Sequence, residues 1–441
     1  MTAAPVRTRP ARGSMFSSLH VRNYRLYAAG NVVSNTGTWM QRVAQDWLVL
    51  ELSGGSGVAL GLVTALQFGP ILLFALYGGM LADRYDKRLL LLITQASLGL
   101  LALTLGILDG TVVVVLWHVY VLAGALGIAS ALDIPIRQAF VSELVGPDRL
   151  SNAVGLNSST FNLVRLVGPA VAGLIIAGYG TAPVFLLNAA SFAFTLGALL
   201  RMRPEELFGS ARVARARGQL LEALRYVRAR HDLLLAMVLV FIVGTFGLNF
   251  QITTALMARE EFGLGASAFG LLGSCVAVGS LTGALLSTRR QVRPRLRFLV
   301  GAALAFGVVE IIAGLMPTFA SFAVLCVPAG AAALIFIIAA NSAVQLGTDA
   351  AVRGRVMALY LLFFMGGTPI GAPIIGWLAE VLVPRSGLII GGTVCVLAAA
   401  AIGLWLAVRS GVRLQGQLHG RPHLTLDLAP LREREHAGYS S

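Results

Sequence analysis

Apolar residues come in long runs along this chain, and polar residues gather in short clusters between them. A helix that crosses a bilayer needs about 20 mostly apolar residues. Measured that way, the pattern predicts twelve spans. Six lie in the first half, over 26–50, 58–81, 89–108, 112–136, 151–177 and 183–200. Six lie in the second, over 233–256, 266–286, 296–315, 319–345, 357–382 and 387–408. Helices are the expected form. An open sheet would leave its edge groups unpaired in lipid, and the runs are too long for barrel strands. The resulting division is a polar segment 1–25, a bundle 26–203, a loop 204–231, a second bundle 232–409 and a polar tail 410–441 expected to lack order.

The polar clusters give the runs a direction. With the first segment in the cytoplasm, 30 of the 34 Lys and Arg residues fall on the cytoplasmic side. The outer loops hold Arg259 and Arg385 alone, and Arg42 and Arg165 lie within spans. Positive charge retained on the inside is the usual topological rule for membrane proteins. Both termini are then cytoplasmic, in a bacterial inner membrane. No short apolar core is followed by a small-residue cleavage site, so the first run reads as an uncleaved span.

Composition agrees. The chain is 57% hydrophobic and 12% charged, against roughly 25% charged in an ordinary soluble protein. The formal charge of +14 follows topology and does not point to nucleic acid. Cys275, Cys326 and Cys395 are widely separated inside apolar runs, which favours neither a disulfide framework nor a metal site. The six histidines form no metal-spaced group, and the sequence has no G-x-x-x-x-G-K-[ST], H-E-x-x-H or G-x-S-x-G. Neither an enzyme nor a cofactor is expected.

Two features suggest internal duplication. Gly79 and Gly283 follow similar runs, "GGMLADR" and "TGALLSTR". Arg149 and Pro169 answer to Arg353 and Pro373, and all three pairs share an offset of 204 residues. A repeated six-helix unit fits this register. In the loop between the units, Leu220, Leu224 and Val227 stand at helical spacing among arginines, the pattern of a short interfacial helix or of a charged linker.

The turn "GGMLADRYDKR" after the second span resembles the signature loop of the major facilitator superfamily, with Gly79, Leu81, Asp83, Arg84, Lys87 and Arg88 at matching positions. Asp86 stands where that signature has its second glycine. The stretches "GTWMQRVAQDWLVLELSGGS", "DIPIRQAFVSELV" and "RLVGPAVAGLIIAG" are similar to the enterobactin-exporter-like branch, which includes macrolide and multidrug efflux proteins. The resemblance implies an all-α fold of two pseudo-symmetric six-helix bundles. It also implies proton-coupled efflux of a drug, macrolide or siderophore by one copy of the chain, with import or uniport as the alternative.

It further implies gating by Gly79, Asp83, Arg84, Lys87 and Arg88, and by "GPAVAG" with Gly168 and Pro169. Val164 replaces a glycine usual four residues upstream of that motif. Asp133 and Arg137 share a helix face. Either they pair locally, or Asp133 receives a basic residue of the turn. Polar and charged residues inside the membrane are costly and usually functional. The candidates for a substrate or proton cavity are Asn31, Arg42 and Asp46 in the first span and Asn162 and Arg165 in the fifth. Asn249, Glu310 and Asn341 are the candidates in the second half. Arg165 suits an anionic substrate. Asp46 and Glu310 are candidate proton carriers.

Overall fold

The computed structural model describes residues 16–208, 219–288, 294–349, 352–409, 414–416 and 424–426. The start of the expected N-terminal segment, loop residues 209–218 and most of the tail lie outside the described residues. Helices α1 (Arg22–Ser53), α2 (Gly57–Arg84), α3 (Lys87–Gly110), α4 (Leu116–Tyr179) and α5 (Ala182–Leu200) form the first half. The second half holds α6 (Gln219–Ala229), α7 (His231–Phe246), α8 (Phe250–Leu256), α9 (Ala266–Thr288), α10 (Leu296–Gly314), α11 (Phe319–Gly347), α12 (Arg353–Val381) and α13 (Ser386–Arg409). In the tail, β1 (Leu414–Gly416) pairs antiparallel with β2 (Leu424–Leu426), Leu414 opposite Leu426.

Among the described residues, ten helices are long and apolar enough to cross a membrane. One of these is α4, and Gly146 divides it. At φ 68° and ψ 176°, Gly146 occupies a region open essentially to glycine. The chain reverses there, and Pro147 begins the second arm. The first arm runs on through Arg137 to Val145, past the boundary expected at 136. Pro135 therefore does not end it. A Cβ at Gly146 would also stand 3.2 Å from the Phe208 ring. Gly146→Ala is expected to cost about 1–3 kcal/mol, read as a lower melting temperature of the purified protein in detergent.

Helix α1 is absent from the ten. It has 32 residues and carries the polar series Asn31, Asn35, Thr38, Gln41, Arg42, Gln45 and Asp46. Neighbours in the first half accept that polarity. Asn188 of α5 donates to Gln41 Oε1 at 2.5 Å, and Thr195 donates to the Gly30 carbonyl at 2.9 Å.

The span expected over 233–256 is broken. Helix α7 stops before Gly247, and α8 restarts after Asn249, whose φ and ψ are −105° and 32°. A five-residue π-helical turn, Met257–Glu261, ends the element. The short helix expected in the central loop is present as α6. Its inward face is Ala223, Tyr226 and Val227; of the expected 220/224/227 stripe, Val227 is buried, Leu224 is exposed, and the Leu220 side chain lies outside what is described. The contact is with protein: Glu222 pairs with Arg355 of α12 at 2.6 Å, and Tyr226 donates to Asp349 at 3.0 Å.

Within the first half, α1 and α2 pack on α4, and α3 packs on α5. Within the second, α9 packs on α11, α10 on α13, and α12 on α7. Two seams join the halves, α2 with α12 and α4 with α9. They are built alike. Gly61 meets the Ala372 carbonyl and Pro373, and Gly270 meets the Pro169 carbonyl and Gly173. Pro169 and Pro373 are the pair related by the 204-residue offset. These two prolines thus occupy corresponding places, one at each seam.

Candidate functional site

The turn that opens α3 shows what its charges do locally. Asp86 is the N-cap of α3, and its side chain accepts from the Leu89 amide at 2.6 Å. An aspartate at this position satisfies a helix-start amide that glycine would leave to water. Lys87 pairs with Glu143 at 2.5 Å, tying α3 to α4. Arg88 donates to the Leu199 and Leu200 carbonyls at the end of α5, at 2.9 and 3.0 Å. Asp83 and Arg84 are exposed. Gly79 is half-buried, and the close approach to α4 is made by its neighbour Gly78, where a Cβ would stand 2.9 Å from the Leu132 Cα.

Asp133 and Arg137 form the local pair. Arg137 grips Asp133 Oδ2 through Nε at 3.0 Å and Nη2 at 2.8 Å. Its Nη1 donates to Asn31 at 2.6 Å. Thr94 and Gln95 of α3 donate to the other carboxylate oxygen, each at 2.7 Å. The network joins α1, α3 and α4, with Asp133 almost fully buried. A paired and fully hydrogen-bonded buried ion is tolerated where an unpaired one is not. None of these bonds comes from the 83–88 turn.

Above this network lies a cavity of about 910 Å³. Asn31, Arg42, Asn162 and Arg165 line it, and so do Asp133 and Arg137. Gln67, Gln138, Asn157 and Asn188 add polar groups, and Trp39, Phe68, Phe161 and Phe192 add rings. The second half contributes Ala284, Leu334 and Ile338. Asp46, Asn249, Glu310 and Asn341, also expected there, are not among the lining residues. Asn249 donates to the Thr245 carbonyl at 2.7 Å. Asn341 sits beside the buried Tyr360. Glu310 is buried, and its Oε2 has no described partner. Spacing told which face of its own helix each occupies, but not which neighbour that face meets.

Trp39 organises the centre of the cavity. Gly168 lets the second arm of α4 approach α1, its Cβ position lying 2.8 Å from the Trp39 Cβ. The Arg42 guanidinium lies 4.8 Å from the Trp39 ring centre and 5.5 Å from that of Phe68. The Arg165 guanidinium lies 5.8 Å from the same Trp39 ring. Arg165 also donates to Ser280 at 3.4 Å, a long bond. Among the described residues, neither guanidinium has a carboxylate within ion-pair distance. The Arg42–Asp46 ion pair weighed from the sequence does not form. Asp46 is buried and accepts instead from Gln251 of α8, across the halves.

That bond belongs to a seal. Gly57 and Gly376 bring α2 and α12 together backbone to backbone, and Gly173 and Gly270 do the same for α4 and α9. Trp47 of α1 stacks on Phe269 of α9 with ring centres 6.4 Å apart. Glu380 of α12 accepts from Ser56 and from the Val58 amide. All of these lie at the end away from the 83–88 turn. On the α2–α12 seam, Gly366 still reaches Leu72. Nearer the basic end, the described ion pairs Lys87–Glu143 and Arg355–Glu222 each stay within one half. These contacts close the cavity at one end, and its lining continues toward the basic end through Gln138, Val141, Val154 and Asn157.

This architecture matches solved transporters. A POT family transporter in complex with a thioalcohol-conjugated peptide aligns with a TM-score of 0.70 at 13% identity, over 88% of this chain and 96% of that one. The nucleoside transporter NupG aligns at 0.68 and 12%, over 87% and 99%. The staphyloferrin A transporter of Staphylococcus aureus is 35% identical over 154 residues, 35% of this chain and 38% of that protein. The enterobactin exporter EntS of Escherichia coli is 26% identical over 341 residues, 74% of this chain and 77% of that one. A family described as "transmembrane secretion effector" matches residues 13–430. The chain is a multi-pass membrane protein and belongs to this transporter family of the major facilitator superfamily.

Proposed function

We propose that the chain exports a small anionic, amphipathic molecule of siderophore type by alternating access, driven by proton entry. The observation that carries this reading is the pair Arg42 and Arg165, flanking Trp39 in one cavity with no carboxylate within ion-pair distance among the described residues. A guanidinium in a dry site attracts carboxylate or catecholate oxygens strongly and forms bidentate bonds with them. The aromatic walls suit rings or an apolar body. The siderophore names of the relatives point the same way.

The proposed twelve crossings are supported by the ten apolar helices, the division of α4 at Gly146, and the length of α1. The positive-inside rule places the basic end in the cytoplasm of a bacterial cell, with both termini there. The cavity then faces the cytoplasm, where cargo for export is loaded. The halves need no second copy to enclose it, so a monomer suffices.

Asp46 is suited to couple protons. It is dry and held by Gln251 while the seal is shut. Opening the seal separates α1 from α8 and wets the carboxylate from outside. A carboxylate that alternates between those surroundings changes its proton affinity in each cycle.

Everted vesicles test the reading. Given an inside-acid gradient, they should accumulate enterobactin or staphyloferrin A and leave a macrolide outside. Uptake that survives collapse of the gradient would overturn proton coupling. Preference for the macrolide would overturn the anionic cargo. Asp46→Asn should lower gradient-driven accumulation roughly tenfold while sparing exchange of labelled for unlabelled cargo, since it removes the titrating group alone.

A further inference from the structure

Arg259 and Arg385, the two arginines that the sequence assigns to the outer loops, are held very differently. Arg385 makes three hydrogen bonds. Its Nε donates to Glu261 at 2.8 Å, and its Nη1 donates to the Gly314 and Met316 carbonyls at 3.1 and 2.5 Å. Arg259 meets only Glu260, its neighbour in sequence, through Nε at 3.2 Å among the described residues. Its Nη1 is buried and has no hydrogen-bond partner among them. A buried guanidinium donor left unpaired is costly, and an acceptor brought to it is bound the more strongly.

Its surroundings repeat those of the cavity. The Arg259 guanidinium lies 5.8 Å from the centre of the Trp47 ring. Trp47 is held in place from its edge, where Nε1 donates to Glu51 at 2.7 Å, and from its face by Phe269. In the cavity, Arg42 and Arg165 flank Trp39 in the same manner. Both tryptophans belong to α1, eight residues apart, or about 12 Å along the helix axis. One helix therefore carries a guanidinium-on-indole station in the cavity and another at the seal. Arg259 stands on the π-helical turn Met257–Glu261, an irregularity that concentrates at functional sites. The contact also joins the halves: Trp47 comes from the first and Arg259 from the second. Beside it, the Glu260 carboxylate lies where a Cβ of Gly55 would be. Parting the halves withdraws Gly55 from Glu260 and Phe269 from Trp47.

We propose that Arg259 and Trp47 form a second binding site for the anionic cargo, occupied as the seal opens and the cargo leaves. Arg259 donates to carboxylate or catecholate oxygens, and the uncovered face of Trp47 receives a ring or apolar body. A charge drawn from two guanidiniums through a narrow exit meets a high electrostatic barrier, and a third guanidinium on the way lowers it. The Arg259 side chain is already 26% exposed, so water competes there and the cargo is held more weakly than in the cavity. The cargo steps from the tighter site to the looser one and then into solvent. This inference rests on the anionic-cargo reading and adds the route of release.

Everted vesicles present the cytoplasmic face to the medium and enclose the outer face, so exchange of labelled for unlabelled cargo reads the two faces separately. The probe is enterobactin or staphyloferrin A, whichever the parent accumulates. Arg259→Met keeps an apolar chain against Trp47 and removes the charge. It is expected to raise the lumenal concentration that half-saturates exchange about fivefold and to leave the medium-side value unchanged, and Arg259→Lys to recover part of the loss. Arg259→Gln, with the same expectation as Arg259→Met, carries the test should the Met variant fail to fold. Opening of the seal is read apart from binding. Gln67→Cys places a thiol in the cavity, and a membrane-impermeant maleimide added to intact cells labels it above the native three-cysteine background. Arg259→Met is expected to label at the parent rate. A lumenal value equal to the parent's, a rise on both faces alike, or an altered labelling rate would overturn the site, and weakened binding in Arg165→Ala would then leave the anionic-cargo reading standing. If the parent accumulates neither probe, or Arg165→Ala binds as the parent does, that reading and this site fall together.

Discussion

Arg165→Ala is expected to weaken binding of an anionic cargo roughly tenfold, and Arg42→Ala with Arg165→Ala by a hundredfold or more, taking about 1.5–3 kcal/mol for a hydrogen bond to a charged group. Arg165 has little else to hold. Its bond to Ser280 is 3.4 Å long, and its remaining contact is the Trp39 ring. Asp133 and Arg137 offer the contrast. Arg137 also lines the cavity, but Asp133 and Asn31 already occupy its donors. Arg137→Ala should therefore damage folding more than affinity, because it strands a buried carboxylate. Arg165→Lys keeps the charge and loses the planar fork, so it should recover only part of the loss. Quenching of tryptophan fluorescence on titration with enterobactin or staphyloferrin A measures affinity, and vesicle transport measures turnover. Equal affinity in Arg165→Ala and the parent would remove the basis for an anionic cargo.

Gly376→Leu is expected to abolish turnover while the protein still folds. The seam at Gly376 lies between the halves, so its bulk obstructs closure and leaves the interior of each half intact. The Leu side chain cannot coexist with the Gly57 carbonyl, and backbone cannot step aside as a side-chain tip can. The protein should stay open at the sealed end, with Gln67→Cys labelled rapidly from outside and transport down by at least about a hundredfold. Gly371→Leu offers the comparison. There a Cβ would stand 1.6 Å from the Thr245 carbonyl oxygen, inside the second half. That variant should fail to fold, seen as aggregation during size-exclusion chromatography in detergent. Normal transport by Gly376→Leu would show that the halves need not meet there.

Much of this architecture was readable because bilayer physics constrains sequence strongly. Apolar runs mark the helices, and the arginines carry the proposed orientation. The polar series from Asn31 to Asp46 suggests a wet helix; Asn31, Asn35, Thr38, Gln41, Arg42 and Gln45 line the cavity, while Asp46 lies in the seal. Trp39 was within the quoted stretch beside Arg42, and its role needed the Gly168 contact to be seen. Helix starts and breaks were less visible. Gly146 looks like any glycine before a proline until its backbone angles are known. The break before Asn249 leaves no mark in an apolar run. Contacts across the halves were hidden altogether, since Gln251 and Glu380 meet partners 205 and 322–324 residues away. Glu310 and Asn341 misled for a related reason: cost in lipid marks a residue as needing a purpose, and burial inside one half answers that need as well as a cavity does.

The polarity of α1 has a consequence for how the protein is made. The insertion machinery sorts segments by hydrophobicity as they emerge, and a first helix bearing Arg42, Asp46 and several amides is poorly retained by lipid alone. Its hydrogen-bonding partners Asn188 and Thr195 are synthesised some 150 residues later, in α5. Helix α1 must therefore wait at the membrane until α5 arrives, so that the first half matures as one unit and a chain halted before α5 leaves its opening helix without a home.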